Sequence, residues 1–260
     1  MNRRHVDVIV LGAIALASCA TSATSSSDPA IRSVYRPHRT VVADPSAAPS
    51  SHSPTCERQT LIGTVSVSRV TARNAPDRSA RQITSFAQTN AQGAHQVFDL
   101  LDEVTATDGD TWFRALLPLR PNGRTGFLPA RSLRLTQTRY RLEVDRSRLE
   151  LTLWKGCRIA GRYRIGLGTK DTPTPVGTFY LVALVKPPTA GSVYGTYAYG
   201  LSAYSDALTN WTGGGIIGLH GTNDPSSIGK RKSHGCIRMR NSDIEHLAKI
   251  LPLGTPIEIH

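Results

Sequence analysis

Ser233-His234-Gly235-Cys236 is the stretch on which the reading of this chain turns, and a second histidine stands upstream of it in Leu219-His220-Gly221-Thr222. A thiol is an effective nucleophile as thiolate, which near neutral pH needs an imidazole or a set of backbone N–H groups beside it. Two imidazoles are candidates here. Gly235 allows a tight turn and removes the Cβ that would keep a substrate carbonyl from the main-chain N–H groups, which form a candidate oxyanion hole. The same residues also suit zinc, and buried Cys and His are often only packing. Spacing alone leaves these readings open.

The whole segment from His220-Gly221-Thr222 to Ser233-His234-Gly235-Cys236-Ile237-Arg238 resembles the signature of the L,D-transpeptidases, the YkuD-type catalytic domain. Thr174-Pro175-Val176-Gly177-Thr178-Phe179, in order before His220, resembles a further part of the family pattern. The resemblance implies a cysteine-dependent acyltransferase of peptidoglycan biosynthesis. Its thiolate attacks the carbonyl between the third and fourth residues of a stem peptide, D-alanine leaves, and the acyl group passes to an amine of a second stem, giving a 3-3 cross-link. It implies Cys236 as nucleophile and His220 as proton acceptor and donor, a choice between histidines that the residues alone do not make. His234 then shapes the site, and the backbone of His234 and Gly235 holds the oxyanion. Ser233, Thr222, Arg238 and Tyr199 are expected to contact substrate, and no metal or cofactor is required. Three rivals stand beside this reading: an L,D-carboxypeptidase with water as acceptor, a wall-binding lipoprotein without turnover, and a zinc site made by His220, His234 and Cys236.

The chain has 260 residues and a formal net charge of +12. Arg3 and Arg4 precede an apolar run over residues 8–17, too short for a membrane span and shaped like an export signal. That run ends in Leu16-Ala17-Ser18-Cys19, which resembles a bacterial lipobox with Cys19 as the lipidated residue. The expected location is therefore the outer face of the cell membrane or the cell wall, with a membrane contact through the lipid. No helix-turn-helix, zinc knuckle or aromatic-interleaved basic segment is present, so the positive charge points to an anionic wall polymer and not to nucleic acid. Of the four cysteines, an exported thiol enzyme must keep Cys236 unpaired, and with Cys19 lipidated only Cys56 and Cys157 remain to pair. No spacing rule joins them, and two free thiols is the plainer expectation.

Organisation follows from composition. Residues 1–18 read as the signal and residues 19–58, rich in Ser, Ala, Thr and Pro, as a disordered tether. Residues 59–136 carry short β-rich runs at 61–70, 83–86, 96–101, 103–107, 111–117 and 126–128, separated by turn signals such as Asp108-Gly109-Asp110 and Pro121-Asn122-Gly123. This unit resembles a bacterial SH3-like β-barrel through Thr71-Ala72-Arg73-Asn74-Ala75-Pro76, Asp110-Thr111-Trp112-Phe113 and Gly126-Phe127-Leu128. Residues 139–260 form the catalytic domain, mainly β with one or two short helices. Strands are expected at 140–145, 148–154, 161–166, 178–185, 216–220 and 256–259, and a helix after the N-cap candidates Asn241-Ser242-Asp243. Residues 186–212 lack a strand pattern and correspond by position to the family's lid, with tyrosines to line a substrate channel.

Overall fold

The computed structural model describes residues 59–189, 191–208 and 214–260. The expected signal and tether, with Cys19 and Cys56, lie outside these residues. Within them the fold is mainly β, with one α-helix.

The first seven strands are β1 (Thr60–Val65), β2 (Arg69–Arg73), β3 (Gln82–Ala87), β4 (Val97–Thr105), β5 (Thr111–Leu116), β6 (Thr125–Pro129) and β7 (Leu133–Thr138). They make one antiparallel sheet in the order β3-β2-β6-β5-β4-β1-β7. Alternation decides which residues go inside: Phe98 and Leu100 on β4 and Phe113 and Ala115 on β5 join Val65, Val70 and Leu128 in a buried core. Three expected runs differ in the structure. The run at 61–70 breaks into β1 and β2 at Ser66-Val67-Ser68, and the runs at 96–101 and 103–107 are one strand whose pairing slips between Leu100 and Asp102.

Ten more strands and the helix follow: β8 (Tyr140–Asp145), β9 (Glu150–Lys155), β10 (Arg158–Arg164), β11 (Leu167–Gly168), β12 (Gly177–Val185), β13 (Ala198–Tyr204), β14 (Ile216–His220), β15 (Arg231–Ser233), β16 (Ile237–Arg238), α1 (Asn241–Ile250) and β17 (Pro256–Ile259). Eight of them form a mixed sheet, β10-β9-β8-β17-β12-β13-β14-β16, while β11 and β15 pair separately in parallel. Helix α1 lays Ile244 and Leu247 into the core beside Leu142, Leu153, Phe179 and Leu219. Asn241 is its first residue, not a cap: the N-cap position is Arg240, with no side-chain cap.

Strand β13 corrects the expectation of a strandless segment at 186–212. Ala198-Tyr199-Gly200-Leu201-Ser202-Ala203-Tyr204 is flanked by β12 and β14 and buried on both faces. A strand covered on both sides shows no alternation of polar and apolar residues, and its small residues hide it further.

The two sheets meet along Ile62, Val97, Leu116, Tyr180, Val182 and Ala183. Polar clasps flank this apolar seam. The Asn122 side chain donates to the Tyr204 carbonyl at 2.8 Å and accepts from the Tyr204 N–H at 2.9 Å. The Tyr204 hydroxyl donates to the Pro118 carbonyl at 2.8 Å, and the Arg120 guanidinium, over the Tyr204 ring, donates to the Ser205 carbonyl at 2.8 Å. Asn122→Ala removes two of these bonds. It is expected to lower stability by about 1–3 kcal/mol, read as a lower urea midpoint with unchanged slope.

Candidate active site

Two short parallel strands assemble the site. Pairing of β14 with β16 sets Leu219 against Ile237 and His220 against Arg238, which carries Cys236 back alongside Gly218. The Gly218 N–H donates to Cys236 Sγ at 3.3 Å. A Cβ built on Gly218 would lie 3.3 Å from His220 Cδ2 and 3.7 Å from Cys236 Sγ. Glycine in mid-strand thus leaves bare the space that imidazole and thiol share.

His220 is only 3 % exposed, and its Nδ1 lies 2.5 Å from the Gly221 carbonyl oxygen. A carbonyl can only accept, so Nδ1 carries the proton and Nε2 keeps its lone pair. Cδ2, bonded to Nε2, is the ring atom beside the shared space, so the basic edge is the one on the thiol side. Burial pushes the His220 pKa down to about 4, opposed by the Gly221 hydrogen bond and reinforced by the Arg238 charge. Burial pushes the Cys236 thiol up, opposed by the Gly218 N–H and by Arg238. At neutral pH the resting pair is therefore a neutral imidazole and a thiol, and the thiolate has to be made by proton transfer as the substrate reacts. The Tyr194 ring stands edge-on to His220, with centroids 5.1 Å apart and planes at 77°.

The turn that presents the thiol is held from beneath. Ser233, 1 % exposed, donates its hydroxyl to the Cys236 carbonyl at 2.6 Å and accepts from the Gly235 N–H at 3.2 Å. Gly235 has φ +111°, a conformation side chains rarely adopt, and a Cβ there would meet Ile217 at 2.9 Å. The Thr169 N–H and the Thr172 hydroxyl both donate to the Ser233 carbonyl, and Thr174, buried, accepts from the Gly168 N–H at 3.0 Å. The Thr-Pro-rich segment thus braces the nucleophile turn.

Several expected substrate contacts are corrected by this geometry. Tyr199 is wholly buried under α1, its hydroxyl donating to the Leu247 and Leu251 carbonyls, so it faces the core and no channel. Thr222 is 3 % exposed; its N–H is bound to Asn241 Oδ1 and its hydroxyl to the Asp224 backbone. Ser233 is buried in the turn it holds. The Gly235 N–H, an expected oxyanion donor, is occupied by Ser233 Oγ. Arg238 is half-buried with its charge felt at both His220 and Cys236, and His234 is exposed on the turn. Cys157 is disulfide-bonded, against the plainer expectation of a free thiol, and Cys236 is a free thiol.

The family model described as YkuD, L,D-transpeptidase catalytic domain, matches residues 139–259. The chain is 36% identical over 164 residues to the putative L,D-transpeptidase YkuD of Bacillus licheniformis, an alignment covering 60% of this chain and 92% of that relative. The chain belongs to the L,D-transpeptidase family. It is also 38% identical over 121 residues to the putative L,D-transpeptidase YkuD of Bacillus subtilis, covering 46% of this chain and 66% of that one. A solved Enterococcus faecium L,D-transpeptidase is 27% identical with a TM-score of 0.36, over 46% of this chain and 49% of that chain, so the match spans about half of that structure. Members of this family are cysteine-dependent acyltransferases, and this chain is one.

Two residues that this L,D-transpeptidase uses to build its site escaped the sequence reading. Gly218 had a local signal, a glycine inside an apolar strand two positions before His220. Asn241 had none, because its contact with the Thr222 N–H joins residues distant in sequence. Tyr194 is one of the tyrosines of residues 186–212 expected to line a channel, and the fold singles it out by setting its ring against His220.

Ser233→Ala frees the Cys236 carbonyl and the Gly235 N–H from their brace and should slow acylation of Cys236 about 5- to 100-fold, measured by intact mass against time. A buried histidine with its pKa lowered from the ordinary 6.5 to about 4 contributes fully to stability above pH 6.5 and loses that contribution as pH falls toward 4. Urea unfolding should therefore show about 3 kcal/mol lost across that window in wild type and absent from His220→Gln.

Proposed function

We propose that this L,D-transpeptidase acts on peptidoglycan stem peptides with Cys236 as nucleophile and His220 as the proton carrier. The reading rests on one observation above others: a buried imidazole, its tautomer fixed by the Gly221 carbonyl, with its basic edge on the side of a free thiol. The carbonyl carbon between stem residues three and four approaches Sγ as His220 Nε2 takes the thiol proton. The Sγ–C bond forms and the C–N bond breaks. His220 returns the proton to the departing D-alanine nitrogen. An acceptor-stem amine then attacks the thioester, giving its proton to the same Nε2, and the thiol is restored as a new amide forms.

Substrate oxygen is stabilised in this scheme by the main-chain N–H groups of His234 and Cys236, while the Gly235 N–H stays on Ser233 Oγ and holds the turn. The half-buried Arg238 supplies positive charge beside the thiol, which favours the thiolate and suits a stem carboxylate. The proposal extends to the rest of the chain. Cys19 anchors the enzyme in the membrane by lipid, residues 19–58 span toward the wall, residues 59–136 are an SH3-like accessory domain, and the positive charge favours anionic wall polymers at the outer membrane face or in the wall.

Incubation with a disaccharide-tetrapeptide, followed by intact-protein and product mass spectrometry, tests the reading. Wild type should carry a tripeptide thioester and yield a cross-linked dimer, Cys236→Ala should do neither, and His220→Asn should acylate about 10²–10⁴-fold more slowly. A product pool of shortened monomer alone makes the acceptor water. Folded, reduced protein that never forms the thioester contradicts the proposal.

A further inference from the structure

A carboxyl group lies in the seam between the two sheets, where the neighbouring side chains are apolar. Asp99 shares the face of β4 with Val97, pairs across to Ile62 on β1, and is 4 % exposed. Its carboxyl has no hydrogen bond or ion pair among the described residues, and desolvation alone raises its pKa, to about 7. The Tyr180 hydroxyl, on the facing strand β12 and within reach of the Asp99 charge, is also buried without a partner. An unpaired buried carboxyl weakens an interface that an apolar residue of like size would strengthen. Packing therefore does not account for it.

Asp99 lines a cavity of about 570 Å³ between β1, β4 and β5 of one sheet and β8, β12 and β17 of the other. Four carboxylates border that space, those of Asp99, Asp102, Glu103 and Glu258, against the single cation of Arg141. Asp102 is engaged by Arg114, and Arg141 is drawn to Glu143 at 3.3 Å and lies 4.2 Å above the Trp154 ring. The side chains of Asp99, Glu103 and Glu258 have no ion-pair partner among the described residues. Nor do three or more acidic, histidine or cysteine side chains converge there closely enough to hold a metal ion, among the described residues. The charge is spread over a space of organic dimensions, with a buried carboxylate in its wall and two exposed ones near it.

We propose that this inter-sheet cavity binds a primary ammonium group, with Asp99 as its buried counter-ion and Glu103 and Glu258 as the outer acidic wall. The site lies among β8, β17 and β12, several strands from β16 in the sheet order, and is distinct from the Cys236 site. It binds a small organic amine whatever the acyl donor at Cys236 is, so the inference does not rest on the reaction proposed above.

Cadaverine is the probe and 1,5-pentanediol, of equal length and uncharged, its control. Titration calorimetry of the full chain near pH 8.5 should show cadaverine bound and the diol not. Asp99→Asn, folded by circular dichroism, should weaken cadaverine at least about tenfold, and Glu258→Gln about two- to fivefold. Binding should also weaken by about tenfold per pH unit below 7 as Asp99 takes up a proton. The charged or titratable groups around it are Tyr180 from β12, Glu258 from β17, Asp102 and Glu103 from β4, and Arg141 from β8. Acylation of Cys236 by the stem peptide, followed in the same variants, should be unchanged and separates failure here from failure of the catalytic reading. Equal binding of diol and diamine, an unaltered affinity in Asp99→Asn, a pH-independent affinity, or no binding to folded wild type each overturns the proposal.

Discussion

Parallel pairing of Ile216–His220 with Ile237–Arg238 is the constraint on which the rest of the site depends. Parallel strands cannot be joined by a tight turn, so the chain between them has to travel. It does so through the Asp224-capped 3-10 turn Pro225–Ser227 and strand β15 before the nucleophile turn. That detour separates His220 from Cys236 in sequence while the register brings thiol, imidazole and the Gly218 N–H to one place. Leu219 and Ile237, both wholly buried, lock the register from the core side. A slip of one residue would turn the Cys236 thiol and the His220 imidazole away from each other.

Much of this was legible because the sequence repeats its physics locally. Tyr140–Asp145, Ile216–His220 and Pro256–Ile259 fall where alternation and flanking turn residues place them. The family signature carries the nucleophile and the upstream histidine because both sit on short local motifs. Other residues mislead for physical reasons. Tyr199 looked like a lid residue because β13 is covered on both faces and shows no period. Ser233 and Thr222 are polar residues beside the catalytic ones, and sequence cannot tell a hydroxyl that meets substrate from one that braces a turn. Asn241 reads as a capping candidate because Asn begins helices often, whereas its side-chain Oδ1 is spent on the Thr222 N–H.

The two sheets are joined by a seam that combines apolar packing with hydrogen bonds to the last residues of β13 and the stretch before β14. Tyr204 is gripped through its N–H, carbonyl, hydroxyl and ring face by Pro118, Arg120 and Asn122. Because β13 pairs with β14 along Ala198 to His220, the upstream sheet bears on the strand that carries Gly218 and His220. The upstream unit is thus a wall of the catalytic fold as well as its neighbour in sequence.

Protonation decides how this site works. Burial keeps His220 neutral and Cys236 a thiol at rest, while the Gly221 carbonyl fixes the proton on Nδ1 and leaves Nε2 to receive the thiol proton. The most direct measurement is the ¹⁵N chemical shift of the His220 ring nitrogens at neutral pH, assigned by comparison with His220→Asn. The account predicts a neutral ring with a protonated Nδ1 and an unprotonated Nε2, unchanged down to about pH 5. Two protonated ring nitrogens at pH 7, with Cys236 ionised beside them, would contradict it.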